Sequence, residues 1–339
     1  MKVLCMWHAS AAEIELVRET LPGADVVAPS GQWQSRFECT LADVESFLPD
    51  ADVIIAWAIP KGSLEKATQL KILSWMHSGV DDLEEIGVLD LAKRRGFRIA
   101  NIRGANAVAV AEQGMMFMLA LAKRVLVKHR FVQEGRQQFP LWDNDRSGML
   151  KGCTVGIVGM GHIGSHVAKR AKAFDMRVLG IRRNKNISIE NVDTMYGPSE
   201  LTSVLPVCDY VVLAAPQTDE THHLIAEAEI ASMKNSAFLI NIARGDLIKE
   251  KPLYDALVGG ELAGFATDVW WRYEYGRTFP NGWGPRSNLQ QLPNVICSLH
   301  EAHNADGVLE KNLRWGIENV AEYFRGEPIS REINLELGY

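Results

Sequence analysis

Val155-Gly156-Ile157-Val158-Gly159-Met160-Gly161-His162-Ile163-Gly164 is the stretch on which the reading of this chain turns. The apolar run after Lys151-Gly152 predicts a buried strand, and residues Ser165 to Phe174 predict the helix that follows. The three glycines between them have separable jobs. Gly159 makes the tight turn, Gly161 lets backbone approach a pyrophosphate, and Gly164 lets the helix pack on the strand. The helix N-terminus then directs free amides and the positive end of its dipole at the phosphates. Strand, glycine turn and helix in that order predict a dinucleotide-binding unit in mid-chain.

On both sides of this stretch the chain alternates apolar strands with amphipathic helices. Upstream, strands are expected at Lys2 to Met6, Val53 to Trp57, Ile72 to Trp75 and Arg98 to Ala100, with a helix at Ala11 to Leu21. Downstream, strands are expected at Arg177 to Ile181, Tyr210 to Ala214, Phe238 to Ile242 and Gly264 to Val269, and a helix at Asp306 to Phe324. Such alternation is the mark of α/β layers with parallel sheets. A long helix, about Ala107 to Val125 with Asn106 as N-cap, is apolar enough to lie between domains or subunits. The segment Arg130 to Met149 is polar, aromatic and irregular.

Bulk properties narrow the class. At 37.7 kDa, with 47% hydrophobic and 23% charged residues, the chain can bury two medium cores, so two domains are expected. A net charge of -6 offers no basic excess to neutralise a nucleic-acid backbone. Cys5, Cys39, Cys153, Cys208 and Cys297 are odd in number and form no CxxC pair, as expected of reduced thiols. The charged segment Glu13 to Glu19 does not suit a signal peptide, which points to the cytoplasm. The apolar stretch Gly114 to Ala122 is too short to span a bilayer, so no membrane partner is expected. No residue set with metal-ligand spacing is read.

Two residues promise chemistry. Arg244, in Asn241-Ile242-Ala243-Arg244-Gly245, sits just past the carboxyl end of an expected strand, where ligands bind in open α/β sheets. Its guanidinium fork matches a carboxylate and can polarise an adjacent carbonyl. His300 ends a second strand-like run, Leu292 to Leu299, and an imidazole there can pass a proton at neutral pH. Position alone does not separate His300 from His77, His162, His222, His223 and His303.

The order of motifs does. The glycine fingerprint is followed by Pro216-Gln217-Thr218-Asp219-Glu220-Thr221, Asn241 to Gly245, Ala266-Thr267-Asp268-Val269, and Leu292 to Val295 with His300; His77-Ser78-Gly79-Val80-Asp81 and Ala109 to Glu112 lie upstream. This collinear set resembles the D-2-hydroxyacid dehydrogenases. The resemblance implies two Rossmann-like, doubly wound parallel-sheet α/β domains flanking a cleft, a homodimer, and reduction of a 2-oxo acid to the 2-hydroxy acid by NADH or NADPH. It further implies a dinucleotide domain at residues 104–299, beginning with the helix at 107–125, inserted into a substrate domain made of residues 1–103 and 300–339.

Carried over by position, Arg244 would hold the substrate carboxylate and carbonyl, and His300 would protonate the new hydroxyl oxygen. The backbone around His77, Ser78 and Gly79 would bind the carboxylate. Gly159, Gly161, His162, Ile163, Gly164, Pro216, Thr221, Ile242, Ala243 and Asp268 fall at cofactor-binding positions.

The chain departs from the pattern in four places. Where the family has a glutamate paired with the histidine, this chain has Tyr273, and the adjacent Glu274 is expected to take that role. The loop from Trp270-Trp271 to Trp283 is long and aromatic, and is expected in interface or lid packing. Leu299 stands where the family commonly has proline before the histidine, and Glu301 follows it. Finally, the strand Arg177 to Ile181 ends at Arg182 where NAD enzymes carry an acidic residue for the ribose. Arg182, Arg183 and Lys185 would pair with a ribose phosphate, so NADP(H) is the expected cofactor and NAD(H) the alternative. Relatives of this fold that oxidise formate or phosphite, and a non-catalytic dinucleotide sensor, are the competing functions.

Overall fold

The computed structural model describes residues 1–31, 35–135, 146–271 and 287–339. These form two compact units: residues 1–106 with 305–339, and residues 107–271 with 287–304.

The first unit carries a five-stranded parallel sheet: β1 (Lys2–Cys5), β2 (Asp25–Val27), β3 (Val53–Ala56), β4 (Ile72–Trp75) and β5 (Arg98–Ala100). Their order is β2-β1-β3-β4-β5, a doubly wound arrangement whose winding reverses beside β1. Alternation along each strand serves two cores. Leu4, Ile54, Ala56, Leu73, Trp75 and Ile99 face one, while Val3, Cys5, Val53, Ile55 and Ile72 face the other. The helix Val308–Phe324 covers this second face through Leu313, Ile317, Val320 and Ala321. It is pinned there by Ser74 Oγ, which donates to the Gly316 carbonyl (2.7 Å), and by the buried Asn319, whose amide donates to the Asn101 carbonyl (2.8 Å).

The second unit carries seven parallel strands: β6 (Thr154–Val158), β7 (Arg177–Ile181), β8 (Thr194–Tyr196), β9 (Tyr210–Leu213), β10 (Phe238–Asn241), β11 (Gly264–Thr267) and β12 (Val295–Cys297). The order is β12-β11-β10-β9-β6-β7-β8. Six of these strands repeat the 3-2-1-4-5-6 order of dinucleotide-binding sheets, with β12 added at one edge. The expected fold class is therefore the observed one.

Some elements depart from expectation. The long helix ends at Lys123, because Arg124 takes a left-handed conformation (φ 54°) and a second helix, Val125–Gln133, begins. Ten of the first helix's residues, among them Val110, Phe117 and Met118, are buried, and it packs on the helix His162–Ala173 and on β10 and β11 of its own unit. The helix Val125–Gln133 buries no residue. No helix among the described residues is long and apolar enough to cross a membrane.

Candidate active site

The glycine turn is built as its sequence requires. Gly159 has φ +99°, and a Cβ there would overlap the backbone of Ala214 and Ala215 at the end of β9. A Cβ on Gly164 would strike the Gly159 carbonyl oxygen, so the helix His162–Ala173 sits directly on the turn. Gly161 differs from both. A Cβ there meets no protein atom within 4 Å, so its lack of a side chain leaves open room at the helix N-terminus. That combination fits a pyrophosphate approaching backbone amides.

Arg244 follows β10 on a braced turn. The buried Asn241 accepts from the Ala243 amide (3.0 Å) and donates to the Arg244 carbonyl (2.7 Å), so one side-chain amide fixes both flanks of the bend. Arg244 Nη1 donates to the Ala243 carbonyl (2.9 Å). Gly245 is obligatory, since a Cβ would collide with the Trp270 carbonyl and the Trp271 amide. The side chains of Ile242 and Ala243 are buried in the two cores of the unit.

His300 follows β12 in a left-handed conformation (φ 55°). Asp268, beyond the end of β11 and 3% exposed, holds the loop that carries it. The Asp268 carboxylate accepts from Ser298 Oγ (2.5 Å) and from the amides of Glu301 (3.2 Å) and Ala302 (3.0 Å). Burial raises the pKa of Asp268 above the usual carboxylate range, against the opposing pull of these donors. Gln113 extends the network by donating to Ser298 Oγ (3.0 Å). His303 stands edge-on to His300, with ring centroids 6.3 Å apart. Burial lowers its pKa, Asp268 works against that, and the nearby positive charge of Arg244 depresses it further.

The two adjacent tryptophans do something the sequence did not suggest. Both are 5% exposed, and Trp271 belongs to the buried cluster of its unit that holds Phe265 and Ile248. Trp270 Nε1 donates to the Ser298 carbonyl (3.1 Å) on the His300 loop, while Trp271 Nε1 donates to the Ile248 carbonyl (2.6 Å) just beyond the Arg244 turn. Successive side chains on extended chain point opposite ways, and here each takes one loop. The remainder of that aromatic loop lies outside the described residues, as do Tyr273 and Glu274.

Other expected positions fall along the same edge. Thr221 Oγ1 donates to the Pro216 carbonyl (2.7 Å) and accepts from the Thr218 amide (2.8 Å), closing the loop after β9. His162 and Ile163 open the helix after the glycine turn. At the end of β7, Arg183 is ion-paired with Glu220 (2.6 Å) and Lys185 with Glu200 (2.8 Å), whereas Arg182 makes no ion pair among the described residues. The glycine turn, Arg182, Pro216, Arg244, Asp268 and His300 therefore stand past the carboxyl ends of β6, β7, β9, β10, β11 and β12, one parallel edge.

In the first unit, the segment 77–79 lies past the carboxyl end of β4. Its carbonyls are taken: the Ile102 amide donates to His77 (3.4 Å), Asn101 Nδ2 to Ser78 (2.8 Å) and Trp75 Nε1 to Gly79 (3.0 Å). His77 Nε2 is 2.7 Å from the Trp57 carbonyl, and Ser78 Oγ donates to Asn106 Oδ1 (3.1 Å). The Ser78 and Gly79 amides donate to no acceptor among the described residues. Two backbone donors are thus left over while every carbonyl of the segment is held.

A glycine turn at the winding reversal of a 3-2-1-4-5-6 sheet, with an arginine and a histidine along its carboxyl edge, defines a nicotinamide-dinucleotide oxidoreductase. More particularly, the chain belongs to the D-isomer specific 2-hydroxyacid dehydrogenase family, whose NAD-binding domain model matches residues 115–302. It is 32% identical to the glyoxylate reductase of Korarchaeum cryptofilum over 80% of this chain and 79% of that one. It is 31% identical to the D-3-phosphoglycerate dehydrogenase of Methanocaldococcus jannaschii over 85% of this chain, but spans only 52% of that longer protein. The crystal structure of the TT0316 protein of Thermus thermophilus superposes with a TM-score of 0.75 at 28% identity, covering 98% of this chain and all of that one.

Proposed function

We propose that the chain reduces a small 2-oxo acid to the D-2-hydroxy acid, with Arg244 and His300 as its catalytic residues and NADPH as preferred reductant. The observation that carries this reading is the placement of the glycine turn, Arg244 and His300 past the carboxyl ends of one sheet, on loops held by Asn241, Asp268 and the tryptophan pair. A dinucleotide bound at the glycine turn supplies or takes up hydride. The rest falls to side chains. Arg244 binds the carboxylate through its fork and draws electron density from the neighbouring carbonyl. His300 gives its proton to the oxygen on which charge develops, and takes it back in the oxidative direction. The free Ser78 and Gly79 amides serve as carboxylate donors of the first unit.

Arg182 supports NADP(H): it carries a guanidinium with no ion pair among the described residues where an acidic residue would repel a ribose phosphate. The likeness to the glyoxylate reductase and to the hydroxypyruvate reductase of Thermotoga maritima supports a substrate of that size. A homodimer is supported by the helix Val125–Gln133, which leaves Val125, Leu126 and Val132 between 48% and 64% exposed. The buried Cys5, Cys39 and Cys208, whose thiol pKa values burial pushes up, suit the reducing cytoplasm.

The test is a panel of glyoxylate, hydroxypyruvate, phenylpyruvate and phosphonopyruvate, each with NADPH and with NADH, and with formate and phosphite run in the oxidative direction. Reduction of at least one 2-oxo acid, lost in Arg244→Ala and His300→Ala while dinucleotide binding persists, is expected. Tight dinucleotide binding without turnover of any acid would overturn the reading in favour of a sensor.

A further inference from the structure

The surface of the second unit brings two histidines and an aspartate together from segments far apart in the chain. His223 donates its amide to the Asp246 carbonyl (2.8 Å), the Ile225 amide to Leu247 (2.9 Å) and the Lys249 amide back to Ile225 (2.9 Å). This short parallel bridge between Ile225 and Ile248 fixes residues 222–225 against 246–249. His223 is left-handed (φ 53°), and its ring lies against that of His222, with centroids 3.8 Å apart. One ring nitrogen of each histidine and one carboxylate oxygen of Asp246 lie within 4.8 Å of one another, a cluster that no other residues match among those described. Lys249, the nearest lysine along the chain, is ion-paired with Glu227 (2.7 Å).

We infer that His222, His223 and Asp246 form a binding site for a transition-metal dication of the zinc type. Two imidazoles and one carboxylate are the donor set such an ion prefers, whereas magnesium and calcium demand an oxygen shell. Ligand bonds near 2.0–2.2 Å place tetrahedral donors roughly 3.3–3.6 Å apart. Both histidines are exposed, so binding would draw their ring nitrogens in from the present spacing by side-chain rotation. Three protein ligands leave at least one position for water or an anion. No linear motif reveals this site, because its ligands meet only through the bridge at Ile225. The ion would tie the segment beyond the Pro216–Thr221 loop to the turn that follows Arg244.

The full chain, freed of metal with a chelator and saturated with dinucleotide, is titrated with Co2+ as a spectroscopic stand-in for Zn2+. The expected result is one Co2+ per chain with the intense visible bands of four- or five-coordinate cobalt, displaced by one equivalent of Zn2+ and untouched by excess Mg2+. His222→Ala, His223→Ala and Asp246→Asn should each weaken binding by more than about tenfold. Each variant should keep the wild-type turnover measured without metal. In the wild type, bound metal should slow amide exchange in residues 221–226 and 245–249. Wild-type affinity in all three variants, or cobalt that keeps its weak octahedral spectrum throughout the titration, would overturn the assignment.

Discussion

The division of labour between Trp270 and Trp271 yields a sharp prediction. Trp271→Phe keeps an aromatic ring beside Phe265, whose centroid lies 6.3 Å away, but deletes the N–H that satisfies the Ile248 carbonyl. Ile248 is fully buried, so that oxygen is stranded away from water. An orphaned acceptor costs about 1–3 kcal/mol, and the volume lost with the indole's second ring adds about 1 kcal/mol. A loss of about 2–4 kcal/mol lowers Tm by roughly 4–16 °C for a domain of this size. The functional effect is separate. Ile248 closes the short turn after Arg244, and releasing it lets the guanidinium fork lose register with a carboxylate. Each 1.4 kcal/mol of lost pairing raises KM about tenfold. Trp271→Phe should therefore raise KM for the 2-oxo acid about ten- to a hundredfold, with a smaller fall in kcat, because Arg244 also polarises the carbonyl, and with dinucleotide Kd near wild type. Trp270→Phe loosens the His300 loop instead and should lower kcat more than it raises KM. Steady-state kinetics at saturating cofactor, with calorimetry on both variants, reads the split. If both variants melt early yet keep wild-type kinetics, or change KM and kcat in the same proportion, the tryptophans only fill the core.

The glycines separate folding from binding. Gly159→Ala must place a Cβ inside the Ala214–Ala215 backbone at φ +99° and should fail to fold or melt far below wild type, whereas Gly161→Ala meets no protein atom and should keep its Tm while dinucleotide Kd, followed by fluorescence, weakens at least about tenfold. Arg182→Ala should lower kcat/KM for NADPH about tenfold or more and leave NADH nearly unchanged; equal losses would remove Arg182 from cofactor choice. The lowered pKa of His303 means the unfolded chain takes up a proton first as pH falls below about 6.5, so stability declines there, and His303→Gln should flatten that part of the Tm profile. Asp268 carries the opposite sign. Its raised pKa makes the native state hold the proton longer, so its contribution worsens as pH rises from about 4, and Asp268→Asn should remove that slope while loosening the His300 loop.

Much of this fold can be read from local sterics and periodicity. The fingerprint is legible because its demands are met within ten residues: an apolar strand, a turn only glycine tolerates, and a helix seated on it. Arg244 and His300 are legible because strand ends announce themselves where an apolar run stops. By contrast, β2 (Asp25–Val27) and β8 (Thr194–Tyr196), three-residue edge strands, are absent from the expected set, although β5, of the same length, is in it. The break at Arg124 leaves no proline or glycine behind. The tryptophan pair is the clearest miss. Its partners, Ile248 and Ser298, lie 23 and 28 residues away, and only the closed sheet brings them into reach. The paired-acid role given to Glu274 falls outside the described residues.

The helix Val308–Phe324 has a consequence for how the chain is made. It covers the sheet face of Val3, Cys5, Val53, Ile55 and Ile72, yet it leaves the ribosome about two hundred residues after the last strand of that sheet. At roughly 5–20 residues per second, that face waits about 10–40 seconds for its lid, while most of the second unit is completed in the meantime. The nascent first unit is thus a half-covered parallel sheet for most of its synthesis, the stage at which a holdase chaperone has most to bind. A nonsense codon after residue 304 would release a product whose dinucleotide unit has all its strands while its first unit lacks one wall.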